Sequence, residues 1–147
     1  MPIKMVKGDL IKAALDGKFN IIGHGCNCFC CFGAGIAAQI KRQFPDAYKI
    51  DCQTISGDRK KLGSITVAFQ RDVFVVNAYT QYRYGRGGPH CDYDAIRMCM
   101  KAVKKSFSGK RIGLPMIGCG LAGGSWPIVQ KIIEEELGDE DITIMYL

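Results

Sequence analysis

The chain has 147 residues, a length that suits one domain with a single core. Its hydrophobic share of 48% and charged share of 23% are ordinary for a globular protein, and no apolar run is long enough to span a membrane. No apolar leader opens the chain, so we expect a cytoplasmic protein without a membrane partner. The net charge of +6 is spread over short basic runs, which favours solvated faces over a dedicated nucleic-acid arm.

Eight cysteines are present, and four of them crowd into positions 26–31. Without a secretion signal we expect reduced thiols. Cys28 and Cys31 have C-x-x-C spacing, and His90 with Cys91 could complete a zinc site. A second C-x-x-C pair is absent from the sequence, so we expect no metal site and no cofactor and interpret the thiols as small buried side chains.

Periodicity and turn residues predict ten main elements and one short helix. In chain order they are strand Ile3–Val6, helix Leu10–Leu15, strand Phe19–Gly23, helix Ala34–Phe44, short helix Ala47–Cys52, strands Ser64–Gln70 and Val73–Tyr79, helix Tyr93–Phe107, strand Arg111–Met116, helix Trp126–Leu137 and strand Ile142–Tyr146. Asp92 and Ser125 are the predicted caps of the last two helices. Strands separated by helices predict an α/β fold with a mixed, mostly parallel sheet between helical layers.

Two glycine-rich segments, Gly33–Ala37 and Ile117–Gly124, each lie between a predicted strand and a helix. Glycine lets a ligand approach the main chain, and the free amides of a helix start attract phosphate. Both segments follow strands, so both should lie at the carboxyl edge of the sheet. Together they predict a diphosphate held from two sides. A Rossmann dinucleotide fold is excluded, because the loop after the first strand contains only Gly8.

Four segments in order resemble the macro domain family, which binds ADP-ribose: Val6–Leu10, Gly23–Cys28, Phe32–Ala37 and Pro115–Gly123. The resemblance covers essentially the whole chain. It implies one macro domain over residues 1–147, folded as a three-layer α/β/α sandwich. Its implied partners are ADP-ribose or ADP-ribose-1″-phosphate, and also ADP-ribosylated protein. Binding of nucleic acid through the basic faces is the weakest alternative.

The chain is most similar to the branch of ADP-ribose-1″-phosphate phosphatases, which implies hydrolysis to ADP-ribose and phosphate. The glycohydrolases of that branch carry an aspartate where this chain has Ala122, and a lysine near Thr80 and Gln81. Both differences argue against the glycohydrolase activity. Two alternatives stay open, a hydrolase of ADP-ribosyl esters (O-acetyl-ADP-ribose or ADP-ribosylated side chains) and a binding module without catalysis.

The resemblance also implies a set of ligand-binding residues. They are Gly8, Asp9, Leu10, Gly25, Cys26, Asn27, Phe32, Gly33, Ala34, Gly35, Ile36, Ala37, Ile117, Gly118, Cys119, Gly120, Leu121, Ala122 and Gly123. Asp9 would contact adenine, although its residue type equally suits a helix cap. Asn27 would contact the distal ribose, or else bond its own loop. Amides of the glycine loops, Cys119 among them, would hold the diphosphate.

His24 is the predicted catalytic residue, placed at the end of the second strand beside the distal ribose. Imidazole exchanges protons near neutral pH, and the family's phosphatases have histidine here. His90, in a later loop, is more simply a surface residue. Tyr79, Tyr82 and Tyr84, with Arg83 and Arg86 beside them, are typical of an aromatic surface for nucleic acid or of a loop over the ribose. A solvated loop is the simplest interpretation.

Overall fold

The computed structural model describes residues 3–85, 88–120 and 122–147. The strands are β1 Lys4–Lys7, β2 Ile21–Cys26, β3 Ile65–Gln70, β4 Val73–Tyr79, β5 Arg111–Leu114 and β6 Asp141–Tyr146. The helices are α1 Leu10–Leu15, α2 Gly35–Gln43, α3 Pro45–Cys52, α4 Tyr93–Phe107 and α5 Trp126–Leu137. A 3₁₀ turn covers Arg59–Lys61.

The six strands form one sheet in the order β1-β6-β5-β2-β4-β3. Every neighbouring pair is parallel except β3 and β4. Arg71 and Asp72 join that antiparallel pair with φ of 54° and 62°, the backbone of a type I′ hairpin turn. The prediction of a mixed, mostly parallel sheet is confirmed.

Two cores lie on opposite faces of this sheet. One core packs α4 and α5 against it through residues such as Ile96 and Ile133. The other packs α1, α2 and α3 through residues such as Leu10, Ile40 and Ala47. The result is the three-layer α/β/α sandwich that the sequence predicts. Among the described residues no helix is long and apolar enough to cross a membrane.

Strand β2 runs further than its sequence predicts. We expected it to end at Gly23, but it continues to Cys26 because β4 offers parallel partners as far as Tyr79. Glycine weakens an isolated strand, yet Gly23 and Gly25 suit this central position because a Cβ there would lie within 3 Å of Leu114 or Thr80. The extension moves His24 from the end of the strand into its interior.

The two predicted helix caps have different outcomes. The Asp92 carboxylate accepts a hydrogen bond from the amide of Ala95 at 2.9 Å and caps α4 as expected. Ser125 occupies the N-cap position of α5 with an extended backbone, as expected, but its side chain makes no capping hydrogen bond. The Ser125 amide instead donates to the Tyr93 hydroxyl at 3.0 Å, which ties the start of α5 to the start of α4.

Candidate ligand cleft

Both glycine loops line one cavity of about 860 Å³ at the carboxyl edge of the sheet. A second cavity of about 470 Å³ adjoins it. The two share five wall residues, Gly35, Ile36, Pro115, Met116 and Gly120. They therefore form one continuous cleft. We call its larger part the main cavity and its smaller part the side cavity. The shared walls include residues of both glycine loops, as the sequence predicts.

The first glycine loop leads directly into the start of α2. Ala34 is extended and has no side-chain acceptor. The first-turn amides of α2 therefore donate no hydrogen bond to its side chain. Gly35 has φ of 60°, a backbone that favours glycine, and it lines both cavities. Free amides at the positive end of a helix dipole suit an anionic ligand at this wall.

The second glycine loop folds back on itself opposite the first. The Gly124 amide donates to the Gly118 carbonyl at 2.6 Å, and Gly118 itself has φ of 75°. The Cys119 amide donates to the Met116 carbonyl at 3.2 Å. That donor is engaged within the loop, and its role towards a diphosphate stays a prediction. Gly120 faces open space, because a Cβ there would meet no atom within 4 Å.

The loop before α4 is fastened to the second glycine loop. The amides of His90 and Cys91 both donate to the Ala122 carbonyl, at 2.9 and 3.2 Å. The His90 side chain lines the main cavity, and its Nε2 lies 3.0 Å from the Gly85 carbonyl. This half-buried imidazole is therefore placed on the cleft wall by main-chain hydrogen bonds.

Asp9 lies in the side cavity, at the opposite end of the cleft. Its Oδ1 accepts a hydrogen bond from the Lys12 amide at 3.2 Å and caps α1. A carboxylate can accept several hydrogen bonds, so capping leaves Oδ2 available to a ligand. The two interpretations of Asp9 from sequence are therefore compatible.

Asn27 lines the main cavity but also organises its own loop. Its Nδ2 donates to the Cys31 carbonyl at 2.8 Å, and its Oδ1 accepts from the Phe29 amide at 2.8 Å. Each group keeps one further hydrogen-bonding position. Asn27 therefore fixes the loop that carries Gly33 whether or not it also meets a ribose.

His24 lies inside β2 with no exposed surface and is not part of the cavity wall. Its Nε2 lies 2.7 Å from Oδ1 of Asn77. The Asn77 amide nitrogen donates to the Ala47 carbonyl at 2.9 Å and to Oγ1 of Thr66 at 3.0 Å. Oδ1 is therefore an acceptor, and His24 donates through Nε2. A side chain in this position does not reach a ligand in the cleft, so the geometry does not support the predicted catalytic contact.

The protonation of His24 follows from the same surroundings. Burial lowers the pKa of His24 to about 4, although its hydrogen bond to Asn77 opposes the change. At neutral pH the ring is therefore neutral. Its edge packs against Phe32 at a centroid distance of 5.0 Å, so the imidazole supports the loop that leads to Gly33.

A buried polar network continues from Asn77 towards the cysteine-rich loop. Tyr79 OH lies 3.0 Å from Thr66 Oγ1 and donates to Asp51 Oδ1 at 2.6 Å. Lys61 Nζ lies 3.5 Å from the same Asp51 oxygen and donates to the Cys28 carbonyl at 3.3 Å. Burial raises the pKa of Tyr79 above its ordinary value, so its hydroxyl stays protonated. The Asp51–Lys61 ion pair was not predicted, because neither residue stands in a recognisable motif.

The structure brings most of the implied ligand residues to the cleft. Those that line it are Gly8, Asp9, Leu10, Gly25, Cys26, Asn27, Gly33, Ala34, Gly35, Ile36, Ala37, Ile117, Gly118, Cys119, Gly120 and Ala122. Phe32 and Gly123 do not line it: Phe32 is buried against His24, and Gly123 packs beside Pro89. Leu121 lies outside the described residues. Their roles towards a ligand stay predictions.

Sequence reasoning missed several wall residues that come from the loop after β4, from α2 and from β6. They include Gln81, Gly85, Gly88, Gln39, Met145 and Tyr146. Tyr84 and His90 were noticed, but solvated or surface positions were favoured for them. Only the fold could show that this loop returns to the second glycine loop. Within the described ranges, no group of three or more His, Cys, Asp or Glu side chains could hold a metal ion.

Proteins of known sequence are similar to this chain over different shares of its length. An uncharacterised 17.5 kDa protein of Enterobacteria phage T4 is 34% identical, over 99% of this chain and 96% of that protein. The ADP-ribose 1″-phosphate phosphatase of Debaryomyces hansenii is 34% identical, over 57% and 56%. The DNA ADP-ribosyl glycohydrolase of Thermus aquaticus is 25% identical, over 92% of this chain but only 38% of that enzyme.

Solved structures share the fold. A Bacteroides thetaiotaomicron protein of unknown function superposes with a TM-score of 0.82 at 28% identity, covering 100% of this chain and 99% of its own. The macrodomain of Thermus aquaticus DarG superposes with a TM-score of 0.75 at 24% identity, covering 99% and 97%. Residues 24–133 match the macro domain family. This chain therefore belongs to the macro domain family.

Proposed function

We propose that this chain binds ADP-ribose and hydrolyses ADP-ribose-1″-phosphate to ADP-ribose and phosphate. The observation that carries the proposal is the single cleft whose walls come from both glycine loops. Membership of the macro domain family and the resemblance to yeast enzymes named for this activity support it. The sheet that unites strands from β1 to β6 supports one domain over residues 1–147.

The cleft suggests how the ligand lies. Adenine would occupy the side cavity near Asp9, where the carboxylate can accept from an amino group. The diphosphate would lie between the first-turn amides of α2 and the second glycine loop. The distal ribose would then reach the main cavity near Asn27 and His90. Main-chain donors would thus bind the part of the ligand that does not react.

The chemistry needs a proton for the leaving oxygen. Water attacks phosphorus, the bond from phosphorus to O1″ breaks, and O1″ takes up a proton as ADP-ribose departs. One proton of the attacking water then replaces the proton that the donor gave to O1″, so the reaction consumes no net proton. We assign that proton to His90, because its imidazole lies on the cavity wall where the distal ribose would sit. A placed general acid contributes about 10²- to 10⁴-fold in rate.

In this proposal His24 has a supporting role. Its neutral ring holds Phe32 and is held by Asn77, so it fixes the loop before Gly33. The catalytic role that the sequence predicts for His24 is here proposed for His90 instead.

A phosphate-release assay tests the assignment. Wild type should release phosphate from ADP-ribose-1″-phosphate, and His90→Ala should reduce the rate by about 10²- to 10⁴-fold with ADP-ribose affinity retained. His24→Gln is the matched control, because glutamine can still donate to Asn77, and it should keep most of the activity. Full activity in His90→Ala, or inactivity confined to His24→Gln with its ligand affinity intact, would contradict the assignment.

Hydrolysis of ADP-ribosyl esters or glycosides is the second candidate. The similarity to the Thermus aquaticus DNA ADP-ribosyl glycohydrolase favours it. Ala122 and the Thr80–Gln81 segment lack the aspartate and lysine expected of that activity. Release of ADP-ribose from a modified macromolecule, with no phosphate release from ADP-ribose-1″-phosphate, would select this candidate. Binding of ADP-ribose without turnover of either substrate would identify the chain as a binding module without catalysis.

A further inference from the structure

A thiol, an amine and a carboxylate meet beneath the cysteine-rich loop that follows β2. Lys61 Nζ donates to Cys30 Sγ at 3.6 Å and lies 3.5 Å from Asp51 Oδ1. The Cys30 thiol in turn donates to the Asp51 carbonyl at 3.4 Å. We call Cys30, Lys61 and Asp51 the thiol–amine cluster. None of these three residues lines the main or the side cavity, so the cluster is separate from the ligand cleft.

Hydrogen bonds on both sides hold the sulfur and the amine together. Cys30 has φ of 56°, a backbone that residues with a side chain rarely adopt, and the Tyr48 hydroxyl donates to its carbonyl at 3.1 Å. Lys61 Nζ also donates to the carbonyl of Cys28, in the same loop, at 3.3 Å. The lysine therefore contacts the loop at two points, and a small movement of its side chain brings nitrogen to bonding distance of the sulfur.

The members of the cluster differ in their access to solvent. Lys61 is 6% exposed and Asp51 is fully buried, whereas Cys30 is half-buried. Asp51 Oδ2 accepts no hydrogen bond from any described residue. A carboxylate oxygen without a donor can take up a proton from a neighbouring ammonium group. A small oxidant can therefore reach the sulfur from outside, while the amine and its proton acceptor lie on the buried side.

We propose that Cys30 is a site of reversible oxidation by hydroperoxides, and that Lys61 captures the oxidised sulfur. In the first step the sulfur attacks one oxygen of hydrogen peroxide, the O–O bond breaks, and the thiol proton leaves with the second oxygen as water. This step oxidises sulfur by two electrons, reduces the peroxide and leaves a sulfenic acid on Cys30. The site does not depend on the proposed function, because no ligand of the cleft takes part.

The second step is a condensation without further oxidation. Lys61 gives one proton to the Asp51 carboxylate, and its nitrogen attacks the sulfur of the sulfenic acid. The S–N bond forms, the S–O bond breaks, and the hydroxyl takes a second proton from the nitrogen and leaves as water. The product is a sulfenamide, the same bond that a sulfenic acid forms with a backbone nitrogen.

The charges of the cluster favour this capture over further oxidation. Lys61 loses its positive charge as Asp51 gains a proton, so the product holds no unpaired buried charge. A sulfinate on Cys30 would instead place a second anion beside the Asp51 carboxylate, and its formation would be irreversible. The sulfenamide joins the cysteine-rich loop to the 3₁₀ turn that carries Lys61, and an added thiol can cleave it to restore both side chains.

Peptide mapping of peroxide-treated protein tests the site. The folded protein, without ADP-ribose, is treated with hydrogen peroxide, digested with trypsin in the absence of reductant and analysed by mass spectrometry. Wild type should give a peptide with Cys30 joined to one with Lys61, lighter by two hydrogens (about 2 Da) than the separate peptides together. Trypsin should no longer cleave after Lys61, and dithiothreitol should restore both reduced peptides.

Three serine variants locate the reacting sulfur. Cys30→Ser should lose the cross-link completely. Cys31→Ser and Cys52→Ser are the matched controls, one a half-buried neighbour in the loop and the other an exposed thiol, and both should keep it. Loss of the cross-link in either control, which a disulfide between that residue and Cys30 would produce, would overturn the proposal.

Lys61→Arg tests the capture step. Arginine keeps a cation beside Asp51, but its guanidinium does not give up a proton and so does not attack the sulfur. The sulfenic acid should therefore persist and react with dimedone, a reagent for sulfenic acids, whereas wild type should react little. The wild-type digest decides the matter even if Lys61→Arg does not fold. Recovery of wild-type Cys30 unoxidised, as a disulfide or as a sulfinic acid, with Lys61 free, would overturn the proposal.

Discussion

The two sides of the β2–β4 pair use polar groups in opposite ways. Behind the strands, polar side chains from His24 to Lys61 bond one another with almost no exposure. In front, the cleft is walled largely by main chain and small residues of the glycine loops, with His90 at one end. The polar and ionisable side chains from His24 to Lys61 therefore stabilise the fold, whereas the small residues of the glycine loops line the cleft.

The contrast has a physical cause. A buried polar group is costly unless it is hydrogen-bonded, so the groups behind the strands form a connected network. A phosphate needs close main-chain donors, which small residues expose and large side chains would cover. The network contacts the loops of the cleft at two points. His24 packs against Phe32, and Lys61 donates a hydrogen bond to the Cys28 carbonyl.

The largest expected effect comes from breaking the buried ion pair. Lys61→Met leaves the carboxylate of Asp51 without its cation, and Asp51 has no exposed surface. We expect the free energy of unfolding to fall by about 3–5 kcal/mol, measured by urea titration. Lys60→Met, at the exposed neighbouring position, should change it by less than about 0.5 kcal/mol. If Lys61→Met lowered the free energy of unfolding by less than about 1 kcal/mol, the stability of the fold would not depend on the Asp51–Lys61 ion pair.

The next effect is a pH dependence that belongs to His24. Its pKa is lowered to about 4 in the fold, so the unfolded chain takes up a proton first as the pH falls below 6.5. The stability due to neutral His24 is complete above pH 6.5 and is lost progressively towards pH 4. Between these values wild type should lose about 3 kcal/mol more than His24→Gln in denaturant titrations. Parallel pH profiles for the two proteins would refute the neutral buried ring.

A smaller effect is expected where the two sides meet, at Asn27. Asn27→Ala removes both hydrogen bonds that fix the cysteine-rich loop. We expect ADP-ribose affinity to fall about tenfold by calorimetry, because the loop that carries Gly33 loses its order. Unchanged affinity would mean that the packing of Phe32 against His24 is enough to order this loop, and that Asn27 does not contact the ribose.

The sequence predicted the fold well because its signals are local. Alternating and helical periodicity located the strands and helices, and the predicted strands Ser64–Gln70 and Val73–Tyr79 leave Arg71 and Asp72 as the turn between them. The errors fall where a distant partner decides the outcome. Strand β2 extends to Cys26 because β4 pairs with it as far as Tyr79.

The cleft was predicted in outline for the same reason, since glycine motifs are visible in sequence. The positions of the two histidines were not. His24 lies within the Gly23–Cys28 segment that carries the family resemblance, yet the length of β2 buries it. His90 stands in a loop without periodicity, and the hydrogen bonds that its own amide and the Cys91 amide donate to the Ala122 carbonyl bring it to the wall. Side-chain access depends on tertiary pairing, which one sequence does not reveal.

Calorimetric titration of ADP-ribose into three proteins tests the central claim that one main-chain cleft receives the diphosphate. Gly120 lines both cavities and faces open space, so Gly120→Ala should bind like wild type. Gly120→Glu places a side chain and a negative charge in the cleft, and we expect at least about a 100-fold loss of affinity with stability unchanged. Wild-type affinity in Gly120→Glu would contradict the account.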